Sequence, residues 1–189
     1  CWGSSRPGEE ALQISLYPSL KEVIPNLHLI IGLRHPRRLE EVIELMDNYS
    51  YSCFTMRKEY SKAEDILIID TLGILDQAYC ICDIAIVGGS FYDFGGHNPL
   101  EPAYYKKPVV IGTYHYSCRE SVKKLKQAGG IIISNKDDLP AFGFPIIAVF
   151  MPSFITFPLS KLLSSLSNFF FALSNISVIS AFATSSTSY

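Results

Sequence analysis

The stretch IAIVGGSFYDFGGHNPLEPA, residues 84–103, decides the fold. It opens on a short apolar run of strand length, rich in the Ile and Val expected of a strand buried on both faces. A glycine pair, Gly88-Gly89, ends that run; a second pair, Gly95-Gly96, follows in the loop, and Asn98-Pro99 then opens a helical segment with Glu101 in its first turn. Strand, glycine loop and helix in that order form one βα unit of a parallel sheet.

Outward from this unit the same alternation runs from Leu12 to Ile133. It predicts strands over residues 27–32, 66–69, 84–88, 109–112 and 131–133. Predicted helices cover residues 8–23, 36–48, 73–82, 99–105 and 118–128, the last preceded by Ser117-x-x-Glu120 at capping-box spacing and closed by Gly129-Gly130. The fold class is therefore α/β, a Rossmann-like parallel sheet with helices on both faces. In such a sheet the carboxyl ends of all strands open on one edge, where ligands bind. Most of the unusual polar and glycine residues fall there: Leu33-Arg34-His35-Pro36, Asp70-Thr71-Leu72-Gly73, the two glycine pairs with His97-Asn98, and Gly112-Thr113-Tyr114-His115.

Composition narrows the function. The chain has 189 residues, 48% hydrophobic and 18% charged, with a formal net charge of −2, which excludes disorder by composition and leaves no basic excess to gather nucleic acid. Five cysteines, an odd number with no repeated CxxC pair, predict reduced thiols and neither a disulfide framework nor a zinc site. Of the charged residues all but Lys161 lie before position 139, so the sequence divides into residues 1–139, which carry the Rossmann-like alternation, and residues 140–189, an apolar tail rich in Ser and Phe. Pro145, Pro152 and Pro158 interrupt its first apolar run, and Ser and Asn thread the second, so neither reads as a membrane helix. The start at Cys1, without Met, reads as the interior of a longer protein.

After a buried strand the paired glycines let backbone come close to a ligand, and a helix starting near Asn98-Pro99 points N–H groups into the crevice, a geometry that suits a phosphate or carboxylate. Arg34 offers a planar fork of donors, His35 can donate from one ring nitrogen while the other accepts, Asn98 offers both roles, and Glu101 can accept from sugar hydroxyls. Glu9 and Glu10 favour the positive end of the helix that they open. Cys80 and Cys82 read as packing thiols.

The run GGSFxxxGGHNPLEPA, followed by PVVIG and preceded by SSRPGEE, LRHP and DTLG, resembles the C-terminal domain of 3-deoxy-D-manno-octulosonic acid (Kdo) transferases of Gram-negative envelopes and some plant organelles. The resemblance implies one half of a GT-B glycosyltransferase that transfers Kdo from CMP-Kdo to a lipid A precursor, lipid IVA, in lipopolysaccharide core biosynthesis. It assigns donor binding to Ser4, Ser5 and Arg6 of the first motif, with Arg6 where the family has His. It further assigns Leu33, Arg34 and His35, where Leu33 replaces Pro; Leu72, Gly73, Ile74 and Leu75, where Ile74 replaces Glu; and Gly96, His97, Asn98 and Glu101. His115 and Ser117 lie in the stretch that departs furthest from the family.

The same resemblance implies no metal, no cofactor and no catalytic residue within this chain, because the family's base is a glutamate of the N-terminal domain, which also takes the lipid acceptor. For the full-length protein it implies the cytoplasmic face of the inner membrane, with peripheral membrane contact. Alternatives are another GT-B transferase, a UDP-sugar epimerase, or an inactive truncated domain.

Overall fold

Seven strands pair side by side, every pair parallel. They are β1 (Trp2–Ser5), β2 (Leu29–Leu33), β3 (Tyr51–Cys53), β4 (Ile66–Ile69), β5 (Ala85–Val87), β6 (Val109–Gly112) and β7 (Ile131–Ser134). The computed structural model describes residues 1–56 and 65–139; the predicted apolar tail, residues 140–189, lies outside the described residues. Strand order is β3-β4-β2-β1-β5-β6-β7, so the chain builds to one side of β1, then crosses to β5 and builds to the other. The loops after β1 and β5 therefore diverge at the middle of the sheet, the place where doubly wound folds leave a crevice.

Period-two alternation distributes the helices over both faces. On β2, Ile31 and Leu33 join Tyr17, Val42, Met46, Cys53, Ile66 and Ile68 in one core, under α1 (Glu9–Val23) and α2 (Leu39–Ile43). Gly32, between them, faces the other way, toward α3 (Leu75–Ile81). A methyl group at Gly32 would meet Leu75 Cδ1 at 2.8 Å, and one at Gly3 would meet the Tyr79 hydroxyl at 2.0 Å, so bare backbone on two adjacent strands admits Leu75 and Tyr79 of α3. Beyond α4 (Leu100–Tyr104), α5 (Arg119–Gln127) covers the far half of the sheet, packing Val122 and Leu125 on Val87, Val109, Ile111 and Ile131.

The sheet matches the expected class, with three corrections in detail. Two strands, β1 and β3, add to the five predicted, because Trp-Gly-Ser-Ser and Tyr-Ser-Cys carry none of the branched residues that mark a buried strand. The predicted helix over residues 36–48 is broken into 3-10 turns at Pro36–Arg38 and Glu44–Met46 around a short α2. Arg38 sits at the first joint with its guanidinium committed to Glu10 and Glu41. The capping box before α5 does not form: Ser117 lies in a 3-10 turn, the cap position falls on Cys118 with no side-chain cap bond, and the Ser117 N–H donates to the Gly95 carbonyl at 2.9 Å.

The close approach of strands at the centre predicts a contrast between two glycines. A Cβ at Gly88 would lie 2.5 Å from the Ser4 carbonyl oxygen, a backbone atom of the central strand, whereas at Gly130 the nearest atom is 3.7 Å away. Gly88→Ala is expected to lower unfolding stability by about 3 kcal/mol or abolish folding. Gly130→Ala is expected to leave the urea midpoint unchanged or raise it slightly.

Candidate functional site

Glu9 organises the carboxyl edge of the sheet. It is the first residue of α1, wholly buried, and its carboxylate reaches across the switch point to the loop after β5. Oε2 accepts from the N–H groups of Gly89 at 2.8 Å and Arg6 at 3.0 Å; Oε1 accepts from Ser90 at 3.0 Å and Phe91 at 3.1 Å. Burial pushes the Glu9 carboxyl above its ordinary range, and the four N–H donors pull it back. Gly89 thus serves an anion that belongs to the protein, the Gly88 N–H is taken by the Gly3 carbonyl at 2.8 Å, and neither amide is open to a ligand. Gly89 is left-handed at φ +69°, and a Cβ there would collide with the His97 ring at 2.9 Å, so the missing side chain is also the seat of His97.

Glu10, also wholly buried, receives both arms of Arg38, at 2.8 and 3.2 Å, and so anchors the turn that follows Arg34-His35 to the same helix. The buried stripe of α1 is Glu9, Gln13 and Tyr17, one residue per turn, with Glu10 alongside. The polar face binds loops: Tyr17 donates to the Leu27 carbonyl at 3.1 Å. Asp70, at the end of β4, accepts from the N–H of Thr55 at 3.0 Å and from its hydroxyl, which fixes the start of the third motif.

Around these anchors lies a cleft of about 430 Å³. Ser4 lines it from β1, Leu33 and Arg34 from β2, Thr71, Leu72, Gly73, Leu75 and Asp76 from the loop into α3, and His97, Asn98 and Glu101 from the segment entering α4. Three of the four motifs read as sharing one rim therefore meet in one cavity, joined by Ser4 of the first motif; the fourth, Gly112–His115, does not line it. Asn98 Oδ1 accepts from the Leu100 N–H at 3.1 Å, which leaves its amide NH2 to donate. Thr71 is a wall residue and not a cap: the cap of α3 is Ile74, with no side-chain bond.

Five expected contacts stand back from the wall. Ser5 is fully buried and its carbonyl holds the Arg34 N–H at 3.2 Å. Ile74 caps α3, accepting from Gln77 and Ala78. Gly96 donates to the Gly89 carbonyl at 2.6 Å and closes the glycine loop on itself. Arg6 and His35 form a layer with His97: Arg6 Nη1 lies 2.8 Å from His35 Nε2, Arg6 Nε donates to His97 Nε2 at 3.4 Å, and the guanidinium lies 5.4 Å from the Phe94 ring centre. The Gly112–Ser117 loop does not line the cleft either; His115 Nδ1 pairs with the Gly112 carbonyl at 2.9 Å, and Tyr114 donates to the Ser90 carbonyl, bracing the glycine loop from behind.

Asp76, in the first turn of α3, is a wall residue that the sequence motifs did not single out; its place three residues after Gly73 is the one signal that marked it. Burial, and then the charges of Arg6, Arg34 and His35, push the His97 imidazole down to about 4. Among the described residues no group of three or more His, Cys, Asp or Glu could hold a metal ion, and no helix is long and apolar enough to cross a membrane.

The chain is thus a wholly parallel, doubly wound α/β domain with its cleft at the switch point, where such folds place their ligand crevice. No family model matches the chain. Among curated proteins it is 33% identical over 134 residues to the 3-deoxy-D-manno-octulosonic acid transferase of Haemophilus influenzae, covering 70% of this chain and 31% of that protein. It is 28% identical over 138 residues to the transferase of Aquifex aeolicus, covering 72% and 38%. It is also 33% identical over 141 residues to a bifunctional glycosyltransferase/methyltransferase of Fusobacterium nucleatum, covering 72% and 21%.

Among solved structures, the C-terminal CMP-Kdo binding domain of WaaA from Acinetobacter baumannii has the same fold, with a TM-score of 0.73 and 21% identity over 88% of this chain and 86% of that one. The chain is a relative of the 3-deoxy-D-manno-octulosonic acid transferases and spans between about a fifth and two fifths of the length of the three curated relatives named above.

Two outcomes follow from the buried groups. Glu9→Ala orphans three buried N–H groups of the loop after β5, and at about 1–3 kcal/mol for each such group should lower the unfolding free energy by at least about 3 kcal/mol. Glu9→Gln, which keeps one oxygen, should cost less; a urea-melt loss below about 1 kcal/mol in Glu9→Ala would mean that the loop is held by other bonds. For His97, the unfolded ring binds a proton near 6.5 while the folded ring stays neutral to about 4. Its contribution to stability is therefore complete above about 6.5 and is lost as pH falls from there toward 4. Urea midpoints measured from pH 7.5 down to 4.5 should fall less steeply in His97→Gln than in the unmodified chain.

Proposed function

We propose that residues 1–139 form the donor-binding half of a Kdo transferase, and that the cleft at the ends of β1, β2 and β4 takes CMP-Kdo. The observation that carries this reading is the convergence of four separate motifs on one cavity at the switch point, in a chain related to enzymes of that name. The transferred Kdo passes to a lipid A precursor, with the acceptor and the base that deprotonates its hydroxyl belonging to the remainder of the relatives' length, at the cytoplasmic face of the inner membrane.

The chemistry assigned to this half is binding and stabilisation of the leaving group. CMP-Kdo carries a phosphate and a sugar carboxylate, about two negative charges, and the negative charge on the phosphate grows as CMP departs. Arg34, exposed at the end of β2 and aimed by its backbone bond to Ser5, supplies a forked, permanently charged donor pair. Among the described residues of the wall Arg34 is the single cation, with Asp76 and Glu101 as acidic residues, so neutral donors must complete the work: the Asn98 amide, the His97 ring and the backbone of Gly73. Glu101 serves sugar hydroxyls as an acceptor. Thr71 and Asp76 also line the wall.

Calorimetric titration of CMP into the chain tests the reading. Arg34→Ala should weaken binding about tenfold or more, the loss expected for one charge-assisted contact, and Glu101→Ala by a smaller factor. Unchanged affinity in both variants removes the site assignment. Tighter binding of UDP than CMP would transfer the cleft to another nucleotide-sugar enzyme.

A further inference from the structure

The layer behind the cleft wall has a construction that the donor reading does not use. Arg6 lies between two imidazoles, with Nη1 at 2.8 Å from His35 Nε2 and Nε donating to His97 Nε2 at 3.4 Å. A guanidinium has N–H donors and no acceptor and does not lose its proton, so in both pairs Arg6 is the donor and Nε2 is the acceptor. A neutral imidazole that accepts at Nε2 carries its proton on Nδ1.

We propose that Arg6 is a positioning residue that fixes His35 and His97 as neutral, Nδ1-protonated rings, so that His97 presents a neutral N–H donor to the anion in the cleft.

The side chain of Arg6 is itself held for this role. Its backbone N–H is bound to Glu9, its guanidinium lies over Phe94, and its Cγ passes 3.6 Å from where a Gly89 Cβ would be. His97 Cδ2 lies 2.9 Å from that same absent atom, so the His97 ring and the stem of Arg6 both sit against one bare stretch of backbone. Only His97 of the three reaches the wall. The charged groups facing His97 are Arg6 and Arg34, with His35 beyond; those facing His35 are Arg6, Arg37, Arg34 and Arg38. All are cationic or neutral, and together with partial burial they disfavour a second proton on either ring.

The arrangement answers the shortage of cations on the wall. Arg6 delivers its charge to the anion through a polarised imidazole rather than by contact, since an N–H becomes a stronger donor when the other nitrogen of its ring accepts from a cation. Lysine has one compact ammonium in place of a planar fork and so lacks the separate Nη1 and Nε donors that meet the two rings.

The experiment measures the rings and the ligand separately, so the claim about Arg6 rests on the donor reading only for its second arm. Imidazole nitrogen-15 spectra of the full chain at pH 7.5 should show Nδ1 protonated and Nε2 bare on both His35 and His97. In Arg6→Ala at least His97 should shift to the Nε2-protonated form or begin to titrate near the ordinary imidazole range. In Arg6→Lys one ring should keep the original signature and the other lose it. CMP affinity at pH 7.5 should fall about tenfold in Arg6→Ala.

Nε2 protonation of either ring in the unmodified chain, a result that needs no variant to fold, overturns the proposal, as do spectra unchanged by Arg6→Ala. Tautomers that behave as described in a chain that binds no CMP would sustain the positioning role and remove the donor assignment instead.

Discussion

A single buried carboxylate holds together the two halves of this sheet's working edge. Glu9 starts the helix that leaves the central strand, yet three of its four bonds go to consecutive amides of the loop after β5, about eighty positions later in the chain. An ion in so dry a place is tolerated only when its lone pairs are filled, and here four N–H groups fill them without a counter-cation. The consequence reaches the cleft. With Gly89, Ser90 and Phe91 pinned, Gly96 closes back on Gly89, and His97 and Asn98 are delivered to the wall from a fixed origin.

The same bond explains which parts of the molecule were legible in the sequence. The βα alternation, the parallel sheet and the meeting of strand-end motifs on one rim follow from apolar runs and turn residues, because burial on both faces leaves a periodic trace. The central strand left none: Trp2–Ser5 is four residues long, has no branched side chain and owes its place to neighbours on both sides. The glycine pair at Gly88-Gly89 was legible as a place where an anion approaches backbone, but not which anion. Nothing in local spacing tells that Glu9, near the amino end, satisfies the Gly89 amide, since the contact is set by topology. Likewise Ser117-x-x-Glu120 has the spacing of a capping box, and the structure spends the Ser117 amide on Gly95 instead.

The cleft's electrostatics follow from that occupancy. Glycine loops before helices commonly bring several backbone donors to a bound phosphate; here those donors are consumed internally, and α4 is a helix of five residues with its first amide group already bound by Asn98. What remains for the proposed anion is the backbone of Gly73 and a short set of side chains, one guanidinium among them, arranged by bonds behind the wall: Ser5 to Arg34, Glu10 to Arg38 beside His35, Arg6 to both imidazoles. Precision in such a site comes from the supporting layer, because a side chain held by one bond retains rotamers that a second bond removes.

The central strand shows the cost of that arrangement. Between Trp2, which pairs with Ile31, and Ser5, which pairs with Leu33, the register slips by one residue, and Ser4 takes a left-handed conformation at φ +57°. A serine in that region is uncommon, and a bulge in the middle of a parallel sheet gives up ladder bonds. The slip has a geometric effect that regular pairing cannot supply: Ser4 lines the cleft while Ser5, the next residue, is fully buried with its carbonyl on the Arg34 amide. In a regular strand the two would simply alternate between the faces of the sheet. Strain of this kind persists only where surrounding contacts over-determine it, and here those contacts are the Glu9 clamp after the bulge, the β1–β5 pairing before it, and the β1–β2 pairing on both sides.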